Sequence, residues 1–314
     1  MYPLFLLMEG GCTANVAVSI GSSVVFRQRE VPGFRIVSQD LGLSTDAPHA
    51  ESLPLTGPLG LICRAARALP PPGPTEIVTR NEAPAGSGLG ASSALLTAVV
   101  SGLLRLRNEY LTPAEVIDLA CNIETAAIAV PAGKQDYIAA FHGGVSLIEF
   151  GYRGFEREAV PMDASVLDRL EEMLVLVYTG ESRFSAVTNW DVTKAFIDNA
   201  APVREALVRI RDVARKVCAA IRDENLDELP ALIDAEWNLR RTLAPGVSTP
   251  RIEAVLAAAR AAGAMSGKVC GAGGGGCMVV TIPPGSRSRV ERAVRAEGGE
   301  PLPFSIARQG LSVS

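Results

Sequence analysis

Between Pro84 and Ala94 the chain reads Pro-Ala-Gly-Ser-Gly-Leu-Gly-Ala-Ser-Ser-Ala, and no other stretch restricts the fold as strongly. Gly86, Gly88 and Gly90 let the backbone adopt positive φ and come close to a ligand. Glu76 to Asn81, just before, carries the β-branched pattern of a strand, while Gly90 to Arg107, rich in Ala, Leu and Val, predicts a long buried helix. A strand, a glycine loop and a helix start in that order gather free amides and the positive end of the helix dipole at one point. Such a point suits an anion, phosphate first among them. Ser92 and Ser93 fall in the first helical turn, where their hydroxyls can bond phosphate oxygens or ligate magnesium.

Two familiar nucleotide patterns fit less well. Gly86, Gly88 and Ala91 satisfy G-x-G-x-x-G/A, but the dinucleotide fold needs a second strand ending in an acid after the helix. Glu109 is instead followed by Tyr110-Leu111-Thr112-Pro113, which leads into another helix, and the strand before the loop is too polar for the centre of a parallel sheet. A P-loop is excluded, because the one Gly-Lys pair, Gly267-Lys268, is followed by valine.

Composition narrows the chemistry further. With 30 basic and 34 acidic residues among 314, the net charge of -4 gives no global basic field for nucleic acid, so a small-molecule substrate is expected. The longest apolar helix-like run, Ala94 to Leu104, is short of a bilayer span, and Leu4 to Met8 lacks a preceding basic residue and meets Glu9, unlike a signal peptide. A cytoplasmic protein is expected. Only two histidines occur, His49 and His142, neither in a nucleophile-elbow context, which argues against a His-dependent hydrolase. The six cysteines show no C-x-x-C spacing; zinc is not expected, and they read as small apolar core residues.

Along the chain, Thr13 to Ile20, Ser23 to Arg29, Phe34 to Gln39 and Glu76 to Asn81 read as strands. Gly57 to Leu69 reads as a helix closed by the run Pro70-Pro71-Pro72-Gly73-Pro74, and Thr112-Pro113-Ala114-Glu115 resembles a cap, first-turn proline and third-position glutamate opening another. Gly143 to Phe150 and Arg157 to Pro161 form an expected hairpin. Leu174 to Tyr178 is an apolar strand, followed by helices over Asn189 to Asn199, Val203 to Glu224, Leu226 to Leu243 and Pro250 to Ala262. Strands at Met265 to Val269 and Cys277 to Ile282, a helix at Arg287 to Glu297 and a strand at Pro303 to Arg308 complete the split βαβ order of a ferredoxin-like domain. A boundary near Asp163 is expected, giving domains 1–163 and 164–314.

Two more stretches carry chemistry. In Ala132-Gly133-Lys134-Gln135-Asp136, the carboxylate of Asp136 can serve as a general base with its pKa held down by Lys134, and that lysine can neutralise charge on a transferring phosphoryl group. Taken alone, a Lys-x-Asp loop is more often a solvated pair. Lys268 to Cys277 is a nearly pure glycine loop between two strands, suited to backbone packing against a bound phosphate or against the first glycine loop.

These three stretches, in this order, resemble the three motifs of the GHMP kinase superfamily, and P-x-x-x-G-L-G-x-S-S-A is matched by Pro84 to Ala94. Gly133-Lys134-Gln135-Asp136, Tyr178-Thr179-Gly180-Glu181-Ser182-Arg183 and Pro245 to Pro250 resemble the sugar 1-kinase branch that includes D-glycero-D-manno-heptose 7-phosphate kinases. The resemblance implies an α+β fold of two domains, a ribosomal-protein-S5-like N-terminal domain and a ferredoxin-like C-terminal one, with ATP and substrate between them. It implies that Pro84, Gly86, Ser87, Gly88, Leu89, Gly90, Ala91, Ser92 and Ser93 wrap the ATP phosphates, and that Ser92 and Glu124 bind Mg2+. It makes Asp136 the carboxylate at the acceptor hydroxyl and brings Gly273, Gly274 and Gly275 to the substrate side. Arg183 is a candidate for an anionic group on the sugar, since a guanidinium fork suits phosphate.

Two departures stand against the pattern. The family's first motif, a strand with Arg and a Gly-Gly-Gly-Thr-Asp-like turn, is missing, and Tyr2 to Gly11 looks like the segment that follows it. Either the start lies downstream of the true one or the acceptor pocket is built differently; on the first alternative the chain as written is expected to be a poor enzyme that an upstream segment improves. Tyr137 to His142 also differs from the branch's usual Gln-Tyr-Ala-Ala-Ala-Phe. The expected activity is an ATP- and magnesium-dependent kinase acting on a hydroxyl, the anomeric one first, of a sugar or sugar phosphate, as a monomer or homodimer. The competing expectation is a noncatalytic sensor of the same fold, and a dehydrogenase stands third.

Overall fold

The computed structural model describes residues 10–182, 185–198 and 201–314. Packing divides them into two units interleaved in sequence. One comprises the described residues of Met1–Ser19, Pro84–Leu89 and Gly144–Ala307; the other comprises Ile20–Ala83, Gly90–Gly143 and Arg308–Ser314. The division expected at Asp163 cuts the sequence once, whereas packing groups Gly11–Val16 and the glycine loop with the C-terminal part.

The second unit is built on a four-stranded sheet in the order β2 (Ser22–Gln28), β5 (Thr75–Asn81), β3 (Phe34–Ser38), β4 (Leu43–Ala47). β5 pairs antiparallel with β2 and parallel with β3, so it lies inside the sheet. β4 was not expected from sequence, because an edge strand reading Leu-Ser-Thr-Asp-Ala exposes most of its side chains and carries no apolar alternation. Helix α1 (Gly60–Ala68) ends before the proline run. Helix α2 (Ala91–Leu106) buries Leu95, Leu96, Val99, Val100 and Leu103, as its composition requires, and lies so close to β2 that a side chain at Gly102 would collide with Phe26.

Helix α3 (Pro113–Ile128) opens with the expected capping box. Thr112 Oγ1 accepts from the Glu115 amide at 3.3 Å while Glu115 Oε2 accepts from the Thr112 amide at 2.7 Å, and such a cap stabilises a helix by about 1 kcal/mol. Ala132 to Asp136 was expected as a loop, but from Gln135 onward the chain is a helix, α4 (Gln135–His142). Its buried pair Tyr137 and Ile138 anchors it, so tertiary burial supplies what eight residues of propensity cannot.

The first unit holds two sheets. β1 (Gly11–Val16), β6 (Val145–Gly151) and β7 (Gly154–Ala159) form one, antiparallel throughout. The other has the order β11 (Glu300–Leu302), β8 (Leu174–Tyr178), β10 (Cys277–Thr281), β9 (Ser266–Val269), again antiparallel. With α10 (Arg287–Ala296) between β10 and β11, this is the ferredoxin-like order expected. β8 is buried over four of its five residues, which its unbroken apolar run demands.

Helix α5 (Ala164–Met173) precedes β8 and was missed, although Val166, Leu167 and Leu170 give it one buried face. Helices α6 (Ser185–Ile197), α7 (Ala201–Arg222), α8 (Leu229–Arg240) and α9 (Pro250–Ala261) follow β8. The terminal strand lies earlier than expected: β11 ends at Leu302, and of Pro303 to Arg308 only Ile306 forms a bridge, to Val18. Val160, Leu170, Leu174, Cys218, Ile221 and Leu229 share one apolar cluster of this unit, and among the described residues no helix is long and apolar enough to cross a membrane.

Candidate active site

Three helices of the second unit converge on a carboxylate cluster. Gly90 caps α2 in the left-handed region, at φ 75°, and brings no side chain of its own to cap the helix, which leaves its first amides to another acceptor. Ser92, in the first turn, donates from Oγ to Glu124 Oε1 on α3 at 2.6 Å. The other oxygen, Oε2, accepts from the Tyr137 hydroxyl on α4 at 2.6 Å. Tyr137 is fully buried; burial, then the charge of Glu124, pushes its phenol far up, so it stays a donor. Glu124 is thereby fixed at both oxygens, each by a donor distant in sequence.

Asp136 stands in the first turn of α4, against Gly90. A Cβ at position 90 would lie 2.7 Å from the Asp136 Cβ and 2.9 Å from its carboxyl carbon, so the missing side chain is what lets the carboxyl group approach the start of α2. Burial raises the Asp136 pKa to about 6; Gln135, donating from Nε2 to Oδ1 at 3.3 Å, opposes the rise, and the negative charge of Glu124 adds to it. The expectation that Lys134 holds this pKa down is therefore wrong in sign. Lys134 is buried, and its ammonium sits 2.5 Å from Asp118 Oδ1 on α3. That contact ties the entry of α4 to α3.

Two hard oxygens, Ser92 Oγ and Glu124 Oε1, lie within one hydrogen bond of each other at a helix start with uncapped amides. Magnesium commonly takes only one or two protein oxygens and fills its remaining positions from phosphate and water, so this pair fits that ion. Among the described residues no group of three or more His, Cys, Asp or Glu could hold a metal by itself.

In the first unit, the two glycine loops touch through their backbones, the use expected for the second one. The Cys277 amide donates to Ser87 O at 2.6 Å, and a Cβ at Gly276, where φ is 79°, would meet that same oxygen at 2.5 Å. A Cβ at Gly271 would lie 3.1 Å from Gly88 O, and one at Gly86 would collide with Ser182. Gly273 and Gly275 pack against the backbone of Val247 and Glu181, and the Gly274 amide donates to Val247 O at 2.7 Å. Arg183 lies outside the described residues, as does the segment 1–9.

Sequence reading missed Tyr137 and Asp118, which have no local signature: each acts on a side chain 13 or 16 residues away, and only the packing of α3 against α4 joins them. Ser182 was read only as part of a longer motif.

Comparison with known proteins agrees with this architecture. Residues 59–144 match the model of the GHMP kinases N terminal domain, and residues 217–300 that of the GHMP kinases C terminal domain. Mevalonate kinase from Thermococcus sibiricus is 30% identical over 241 residues, 74% of this chain and 67% of that protein. D-glycero-alpha-D-manno-heptose 7-phosphate kinase from Campylobacter jejuni is 29% identical over 235 residues, 74% of this chain and 68% of that one. Among solved structures, a D-glycero-D-manno-heptose 1-phosphate kinase from Bacteroides thetaiotaomicron superposes with TM-score 0.79 at 23% identity, covering 100% of this chain and 94% of its own. Galactokinase of Lactococcus lactis, complexed with galactose, gives TM-score 0.76 at 18% identity over 96% and 89% of the two chains. With strand orders, glycine loops and matched domains in agreement, the chain belongs to the GHMP kinases, ATP-dependent enzymes of mixed helix and sheet fold.

Proposed function

We propose that this chain transfers the γ-phosphoryl group of ATP to a hydroxyl of a sugar or sugar phosphate, a heptose 7-phosphate being the leading candidate and the anomeric hydroxyl its acceptor. The observation that carries the reading is Asp136: a carboxylate whose pKa is raised to about 6, held beside the uncapped start of α2. A base for a hydroxyl works best when its pKa lies near the operating pH, and burial has moved this one toward it. In the transfer, the acceptor oxygen forms a bond to the γ-phosphorus, the bond from that phosphorus to the bridging oxygen breaks, and the acceptor's proton passes to Asp136.

Pro84 to Ser93 supply amides and hydroxyls for the phosphates, and Ser92 with Glu124 would hold Mg2+. Magnesium, when bound, neutralises phosphate charge during transfer. Tyr137 keeps the Glu124 carboxylate turned toward Ser92. Lys134, engaged with Asp118, positions the turn that bears Asp136 rather than meeting the phosphoryl group. Gly273, Gly274, Gly275 and Arg183 are assigned to the acceptor side.

A second acceptor class follows from the relatives, several of which are mevalonate kinases. The test is a panel of sugars, sugar phosphates and mevalonate read by ADP release with ATP and magnesium. Turnover with a heptose phosphate supports the proposal, turnover with mevalonate alone replaces the acceptor, and ATP binding without turnover on any of them reinstates a nucleotide sensor.

A further inference from the structure

Glu236, on α8, is buried at 8% exposure, a rare place for a carboxylate. Two cations meet it: Arg240 Nε, one turn along the same helix, at 2.5 Å, and Lys268 Nζ, on β9, at 2.9 Å. Burial by itself would push this carboxyl up; Arg240 first and then Lys268 outweigh it and hold the group below the ordinary range. Arg240 reaches further, donating from Nη1 to Gly271 O at 3.2 Å. Gly271 opens the glycine loop that lies against Gly88 and ends with the Cys277 amide on Ser87 O. A continuous set of contacts therefore runs from Glu236 through Arg240 and Gly271 to the backbone of Ser87 and Gly88.

Such a triad is a poor device for stability alone, because buried ions lose hydration that their mutual attraction seldom exceeds, and apolar residues of similar size often serve better. Its placement gives it another use. We infer that Glu236 and Arg240 are positioning residues for the donor phosphates: the carboxylate aims the guanidinium, the guanidinium fixes Gly271, and the fixed loop keeps the backbone at Gly88 set for phosphate. This rests on the reading of Pro84 to Ser93 as the phosphate site.

Charge separates positioning from a simple electrostatic effect. With one carboxylate and two cations the triad carries a formal charge of +1, and Glu236→Gln raises it to +2 while replacing the charged acceptor that aims Arg240 with a weaker neutral one. A field effect predicts tighter ATP binding by this variant; positioning predicts weaker binding. The experiment is calorimetric titration of the full chain with ATP and magnesium, alongside thermal unfolding, for wild type, E236Q and R240K. Positioning predicts that E236Q weakens ATP about tenfold, the loss of one charge-assisted hydrogen bond at the loop. R240K keeps its charge but loses the fork that serves Glu236 from Nε and Gly271 from Nη1, and it should weaken ATP by a similar factor. Unchanged or tighter ATP binding in R240K, at any melting temperature, overturns the inference, and R240K decides alone if E236Q does not fold. A wild-type chain that binds no ATP overturns the phosphate-site reading and this inference with it, whereas wild-type binding with equal affinity in both variants overturns this inference only.

Discussion

The glycine loops of the first unit and the carboxylate cluster of the second keep their shapes by different means. At Ser87, Gly88, Gly271 and Gly276 the contacts are backbone to backbone, and the residue type matters mainly because a Cβ has no room. At Ser92, Glu124 and Tyr137 the contacts are side chain to side chain, across three helices, with the buried carboxyl of Asp136 set against Gly90 beside them. A backbone brace is insensitive to pH and intolerant of volume. A carboxylate cluster accepts small changes of volume but responds to every change in charge or donor. Variants in the two regions should therefore fail in different assays.

The largest separation is expected from Asp136→Asn. Loss of a general base lowers turnover by roughly 100- to 10,000-fold, while ATP affinity measured by titration should stay within a factor of two or so. Stability moves the other way. Because the folded pKa, about 6, lies above the ordinary 3.8, the folded protein binds this proton more tightly than the unfolded chain does, so ionisation of Asp136 opposes folding as pH rises through that window and fully above it. Asparagine removes that penalty, and the melting temperature at pH 8 should not fall. In the wild type, kcat/KM should drop on the acid side with a midpoint near pH 6. A variant retaining more than about a tenth of the activity would remove Asp136 from the base's role.

Gly276→Ala tests the other region. The added methyl would lie 2.5 Å from Ser87 O at φ 79°, so both the Cys277 to Ser87 hydrogen bond and the local conformation suffer, at about 2 kcal/mol or more. Melting temperature and ATP affinity should fall together, and the acid midpoint of the pH profile should stay where it is. A shifted midpoint would mean that the loops and Asp136 are coupled, and the separation between the regions would not hold.

The same difference decides what could be read without coordinates. A loop that requires glycine writes its requirement locally, which is why Gly86 to Gly90 and Gly271 to Gly276 stood out, and why Thr112 to Glu115 announced the start of α3. Ser92 and Asp136 also stood out locally, beside a glycine loop and a lysine, but Glu124 came from family resemblance alone, and no pattern within the sequence links these positions, 32 or 12 residues apart. Lys134 misled because adjacency suggested a partner in Asp136, whereas helical geometry turned its side chain to Asp118. Only the loop-like entry of α4 was legible for a related reason: its proline and glycine are local, but the burial of Tyr137 and Ile138 that sustains the helix is not.

Within the carboxylate cluster, Ser92→Ala should act on metal use. Removing the hydroxyl that bonds Glu124 Oε1 at 2.6 Å takes away one of the two oxygens assigned to magnesium, and the magnesium concentration for half-maximal rate should rise about tenfold. Affinity for metal-free ATP should change little. An unaltered magnesium titration would move the metal away from Ser92.

The smallest effect is expected from Tyr137→Phe, and it asks whether the cluster has an internal order. The phenol donates to Glu124 Oε2 at 2.6 Å from a fully buried ring, so phenylalanine keeps the packing and deletes one donor. Stability should fall by about 1 to 2 kcal/mol, the usual consequence of removing a hydrogen bond to a charged group. Glu124 is only half-buried, so water can take the vacated place, but it cannot fix the carboxylate's direction. The magnesium requirement should consequently rise about two- to fivefold, less than for Ser92→Ala, and the acid midpoint near pH 6 should stay put because no charge near Asp136 has changed. A lower melting temperature with an unchanged magnesium requirement would make Tyr137 a core hydrogen bond only, and Glu124 would then owe its orientation to Ser92 and the packing of α2 against α3.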